Sequence, residues 1–141
     1  MTAYFTDLLL ASMFGGMLIF SLLFAPLVFT KLPGAVAGRF IRAVFPWYYL
    51  WVLGFGALST LALCIAGASG LSIGLAAAIA AAAAFARWPL MRRINALRDR
   101  QLAGDSAAGR GFDWLHRLSV AINLVQLLAA AALIGIVGHR F

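Results

Sequence analysis

Four long apolar stretches, separated by shorter polar breaks, set the pattern of this chain. No charged residue occurs from 8 to 30, and the stretch 4–30 is long enough to cross a bilayer at ~1.5 Å per residue. Further apolar stretches cover about 45–68, 71–91 and 113–137. The pattern predicts an all-α integral membrane protein, a four-helix bundle forming one domain over 1–141.

The breaks are not alike. The segment 31–43 carries Lys31, Arg39 and Arg42, a Pro33 and Gly34 turn, and Val36, Phe40, Ile41 and Val44 at helical spacing between the arginines. That spacing predicts a short amphipathic helix lying on the membrane surface after the first span. The link 67–72 (GASGLS) is short and uncharged and predicts an antiparallel hairpin of the second and third spans. After Pro89, LMRRINALRDRQ predicts a helical extension outside the membrane with Arg92, Asn95 and Asp99 on one face. The polar, glycine-rich 101–113 predicts a flexible loop, so the second break spans about 92–112.

Local features refine the spans. Ser12, Gly15 and Gly16 form a small-residue patch for close helix contact, and AAAIAAAAAFA in the third span predicts a smooth helix. Pro26 frees the carbonyl of Leu22 and predicts a bend, with the Ser21 hydroxyl nearby to satisfy exposed backbone. FPWYYLW, containing Trp47, Tyr48 and Tyr49, reads as an interfacial aromatic belt, with Pro46 in the first turn of its helix. Phe112 and Trp114 mark the return to the interface, and Asp113 reads as the N-cap of the last span.

Composition agrees with a bilayer as solvent: 65% of residues are hydrophobic and 11% charged. Eleven Lys and Arg stand against four Asp and no Glu, a net charge of +7. Ten of the eleven fall in 31–43 and 87–117, on one side of a four-span protein. The positive-inside rule puts that side in the cytoplasm and both termini outside, as in a bacterial inner membrane. The basic loops then partner anionic headgroups rather than nucleic acid. The start of the chain lacks a basic n-region, so the first span is expected to be retained rather than cleaved. Cys64 is alone, so no intramolecular disulfide forms.

Candidate chemistry concentrates in the last span, where His116, Ser119, Asn123 and Gln126 share one helical face. Polar groups in an apolar helix need partners, so that face points at protein, water or a ligand. With Ser21 and the Pro26 bend, Trp47, Tyr48 and Tyr49, and the stretch from Arg87 through Arg92 to Asn95 at the same depth, a polar pocket open to the cytoplasm is one reading, with Asp99 among its candidate residues: His116 ligates or exchanges protons, Asn123 hydrogen-bonds a ligand and Arg92 attracts an anion. Interfacial anchoring is the other reading for the aromatics, for most arginines and for His116. For Asn123 the other reading is a hydrogen bond to a neighbouring helix.

Two cofactor readings stand beside these. Met13, Met17 and Cys64 are soft ligands suited to copper, although methionines at that spacing also fill cores. A haem site would have His116 as its axial ligand or be shared between subunits, because His139 lies at the opposite end. Hydrolytic motifs are missing: there is no Gly-x-Ser-x-Gly, phosphate loop or His-Glu-x-x-His. The balance favours a small-molecule or ion-handling protein, in a homo-oligomer if it transports, over a redox enzyme or an assembly partner.

The stretches FGGMLIFSLLFAPLVF, RFIRAVFPWYY, MRRINALRD and LHRLSVAIN together resemble the bacterial branch of the transmembrane-protein-205-like family, a domain of unknown function. That resemblance implies a four-helix integral membrane protein with Arg92, Asn95, Asp99, His116, Ser119 and Asn123 as a shared polar set of unassigned role. The family is more distantly similar to the copper-resistance-D-like group, which includes a haem-linked protoporphyrinogen oxidase. This chain departs from it in having no histidine in its first span, and the oxidase activity is not carried over.

Overall fold

The computed structural model describes residues 2–138. Its first span is α1 (Thr2–Ile19), a π-helical turn (Phe20–Phe24) and α2 (Ala25–Lys31). The second is α3 (Gly34–Ile65). The third is α4 (Gly70–Phe85), a second π-turn (Ala86–Leu90) and α5 (Met91–Leu102), and the fourth is α6 (Ser106–Gly138). No strand occurs among the described residues, and all four spans are long and apolar enough to cross a membrane. Leu22, Leu23, Trp51, Leu124, Val125 and Leu128 are exposed on the outside of the bundle, an arrangement that lipid tolerates and water does not.

The core joins all four spans through Leu10, Met13, Met17, Val52, Leu63, Ile79 and Leu133. Lipid tails are as apolar as these side chains, so association gains packing rather than dehydration, and small residues matter. At Gly56 an added Cβ would sit 3.1 Å from the Ala80 Cβ, so α3 and α4 approach closely there. Gly16 faces the Trp51 indole in the same way, whereas Gly15 faces open space.

Two of the three links between spans turn on a left-handed glycine. Gly67 (φ +62°) closes α3, with Ala68 N–H donating to the Leu63 carbonyl at 3.0 Å. Gly104 (φ +101°) closes α5, with Asp105 N–H donating to the Arg100 carbonyl at 3.1 Å. A side chain at either position would be strained.

Four expectations are corrected at the basic end. The amphipathic stretch within 31–43 is helical, but it is the first part of α3 and does not lie flat as a separate helix. Its apolar side finds protein: Ala37 and Ile41 bury against Val28 of α2. Pro46 is therefore inside a helix of 32 residues rather than in its first turn, and α3 continues past it with one backbone bond fewer. The expected loop 101–113 is mostly helix, and Asp105, not Asp113, caps α6 by accepting from Ala107 and Ala108 N–H at 3.0 and 3.2 Å. The glycines that suggested flexibility are contact residues. An added Cβ would lie 2.9 Å from Gln101 at Gly109 and 3.2 Å from Leu97 at Gly111, so α6 packs tightly on α5.

Helix length explains what these extensions build. Helices α3 and α6 have 32 and 33 residues, about 50 Å at ~1.5 Å per residue, against a hydrocarbon core of ~30 Å. The surplus stands at the basic end, where α5 packs on α6 and the start of α3 packs on α2.

Candidate functional site

Between those extensions lies a cavity of about 590 Å³, walled by the end of α2 and by α3, α5 and α6. Its apolar lining includes Phe29, Ile41, Phe45, Tyr49, Met91, Ile94 and Phe112, and its polar lining is Arg39, Arg42, Asn95, Arg98, His116 and Ser119. No Asp or Glu lines it.

One arginine holds the cavity's wall together. Arg42 of α3 donates from Nε to Asn95 Oδ1 at 2.9 Å and from Nη2 to the Asn95 carbonyl at 2.8 Å. It also donates from Nη1 and Nη2 to Asp99 Oδ1, both at 2.8 Å. Asn95 and Asp99 lie one turn apart on α5, so a single planar guanidinium spans both. The expected face of α5 is thus a receptor for Arg42, and Arg92 stays exposed, away from the cavity. At the turn below, Asp105 accepts from Arg100 Nη2 at 2.7 Å while capping α6. The Arg100 guanidinium, helped by the Ala108 and Ala107 N–H groups, holds the Asp105 carboxyl below its usual range.

The polar face of α6 divides along its length. His116 is exposed, lines the cavity and stacks on Phe112 with centroids 5.8 Å apart. Ser119 lines the cavity too, but its hydroxyl donates back to the His116 carbonyl at 2.7 Å. Deeper in the bundle, Asn123 accepts from Ser21 Oγ at 3.2 Å and donates to Tyr48 Oη at 2.8 Å. Gln126 donates to the Ile79 carbonyl of α4 at 2.9 Å. The Ser21 hydroxyl therefore bonds across to another span rather than to the backbone freed by Pro26. Ser21 sits in the π-turn, where Ala25 N–H reaches back five residues to Phe20, a register that accommodates the missing N–H of Pro26.

The remaining candidates do not join this site. Met13 and Met17 are fully buried in the apolar core, while Cys64 is exposed near the far end of α3, so the three proposed copper ligands occupy different environments. No cluster of three His, Cys, Asp or Glu side chains occurs among the described residues. Asp113 is exposed and has no ion pair among the described residues, and His139 lies outside them.

Two contributors take roles that sequence spacing leaves open. Trp47, Tyr48 and Tyr49 read alike in sequence, as interfacial anchors or as part of the pocket; Trp47 is 73% exposed, but Tyr48 is buried, stacks on Phe20 at 4.1 Å and holds Asn123. The signal was the i, i+4 series Tyr48, Val52, Gly56, which continues the core face of α3. Arg42 carried no signal of its own, because its partners lie in a different span.

Neither the curated proteins nor the solved structures compared with the chain include a match. The family match ends before α6, so His116, Ser119 and Asn123 lie outside it, whereas Arg42, Asn95 and Asp99 lie within it. It covers 96 of the 141 residues, and the chain belongs to the family described as a domain of unknown function (DUF4149), matched over residues 8–103.

Proposed function

We propose that this membrane protein binds a small molecule in the cavity at its basic end, and that this end faces the cytoplasm of a bacterial inner membrane. The cavity carries the reading. Its volume of about 590 Å³ is within the ~300–1,000 Å³ of small-ligand sites, and its wall combines apolar surface with a few polar groups. His116 supports it further, since beyond Phe112 its ring has no partner among the described residues. The side chain is available to a ligand. The orientation rests on the arginine-rich end and the positive-inside rule. Kinship with the transmembrane-protein-205-like proteins rests on the four stretches quoted above. A four-helix chain leaves little room for a continuous path, so transport of the molecule would call for a homo-oligomer.

A second reading, as an assembly protein, draws on Asn123 and Gln126, whose bonds all run between helices. It expects His116→Ala and Asn123→Ala to lower stability together, whereas the binding reading expects only Asn123→Ala to do so. The direct test is native mass spectrometry of the full chain in mild detergent, with metal analysis and an absorption spectrum. A small mass that co-purifies with the wild type and is lost in His116→Ala supports binding. A Soret band or stoichiometric copper would replace the reading with redox chemistry. A chain that carries no added mass, and whose melting responds to no compound in a broad screen, would overturn it.

A further inference from the structure

Resting on that binding reading, we infer that the ligand is an anionic amphiphile: a phosphate-bearing headgroup held by Arg39 and Arg98, with a hydrocarbon chain along Phe29 and the apolar wall. The charge balance points to the headgroup. Arg42 is neutralised by Asp99, and all four of its hydrogen bonds go to α5. Arg98 donates only to the neutral Gln101 side chain and lies over the Phe112 ring. Arg39 has neither a hydrogen bond nor an ion pair among the described residues. With no carboxylate in the lining, two guanidinium charges at one cavity lack a counter-charge. A guanidinium matches the paired oxygens of a phosphate, and basic pockets between spans suit phospholipid headgroups.

The wall points to the chain. A free phosphate has no use for Phe29, Phe45 and Ile94, which line the same cavity. Phe29 is also 55% exposed on the outside of the first span, so the apolar lining continues onto the lipid-facing surface, where an acyl chain would run. Gly34 and Gly38 on α3 leave that part of the wall open: an added Cβ at either meets nothing within 4 Å.

That open space supplies the test. Gly38→Leu places a side chain at the cavity wall, where an added Cβ meets nothing within 4 Å, and improves helix propensity, so it should obstruct an occupant, and thermal unfolding of the variant checks that the fold stands. The full chain in mild detergent is titrated with dioctanoyl phosphatidic acid, dioctanoyl phosphatidylcholine and inorganic phosphate. The expected result is one tight site for phosphatidic acid, at least tenfold tighter than for phosphatidylcholine and not displaced by inorganic phosphate at equal concentration. Paired Arg39→Gln and Arg98→Gln should weaken it at least tenfold, and so should Gly38→Leu. Paired Arg93→Gln and Arg110→Gln, which remove the same charge from exposed positions outside the cavity, should leave it unchanged. Equal weakening by the two charge pairs would make the binding general surface attraction and overturn the inference. Displacement by phosphate alone would make the ligand a free anion and overturn its amphiphilic part. Equal binding of the two lipids, still blocked by Gly38→Leu, would defeat the inference and leave the binding reading intact. Indifference of every probe to Gly38→Leu would defeat both.

Discussion

Two turns of α6 separate His116 from Asn123, and the two ends of that stretch live in different surroundings. At the deep end each polar group is spoken for: Asn123 joins Ser21 and Tyr48, and Gln126 reaches the Ile79 carbonyl. At the mouth the balance reverses, with His116 exposed and Arg39 unpaired among the described residues. A polar group inside a bundle stabilises it only when its partner is built in, whereas one left open at a cavity is available to something else. The same helical face thus holds spans together at one end and lines a site at the other.

The deep end should show the largest effects on stability. Asn123→Leu breaks links to two spans and leaves the Tyr48 hydroxyl short of a donor, which costs about 1–2 kcal/mol. Thermal unfolding in detergent reads it, and a loss no larger than that of His116→Ala would erase the distinction between the two ends. Gln126→Leu should cost less, roughly 0.5–1 kcal/mol, because the Ile79 carbonyl lies inside α4 and keeps its helical partner.

The wall of the mouth comes next. Arg42→Ala removes the tie between α3 and α5, but the pair is well exposed, with side-chain exposures of 37% and 62%, so about 0.5–1 kcal/mol is the expected loss. High salt should shrink the difference between wild type and Arg42→Ala and leave that for Asn123→Leu untouched, which separates a screened contact from a buried one.

How much of this was legible in sequence follows from the same contrast. The spans were legible because apolar length is a local property: each of the four is a run of residues that lipid alone can select. The shared face of His116, Ser119, Asn123 and Gln126 was legible because helical spacing is local too. What each member of that face does was not, since it depends on partners such as Tyr48 and Ile79 that lie far away along the chain. The basic end misled for a related reason. Arginines beside apolar residues describe a surface helix and a packed extension equally well, and only Val28 and the α5 receptor decide between them. Glycines at 109 and 111 likewise read as flexibility until Gln101 and Leu97 are seen against them.

Acid should touch the mouth before the deep end. The Asp105 carboxyl has a lowered pKa in the fold because Arg100 and the first N–H groups of α6 favour its charged form. Its contribution is complete above the ordinary carboxylate range and is lost as pH falls through the lowered pKa. Asp105→Asn keeps an acceptor for the cap but no charge for Arg100, so melting of that variant should lose this acid-side step while matching wild type in its response to Asn123→Leu. A step of equal size in wild type and Asp105→Asn would place the acid sensitivity elsewhere.

The smallest expected effect on stability is that of His116→Ala, and it tests the comparison most sharply. The ring is exposed, contacts Phe112 and holds no other span, so its removal should change unfolding by no more than about 0.5 kcal/mol. A loss approaching that of Asn123→Leu would mean that His116 acts as helix glue, and the line drawn between the two ends of α6 would fall. A near-zero loss leaves the ring without a structural task. An exposed imidazole over an arginine-lined cavity, supported by a wall that Arg42 and Asp105 hold in place, is then a side chain whose effect should be read in binding rather than in melting.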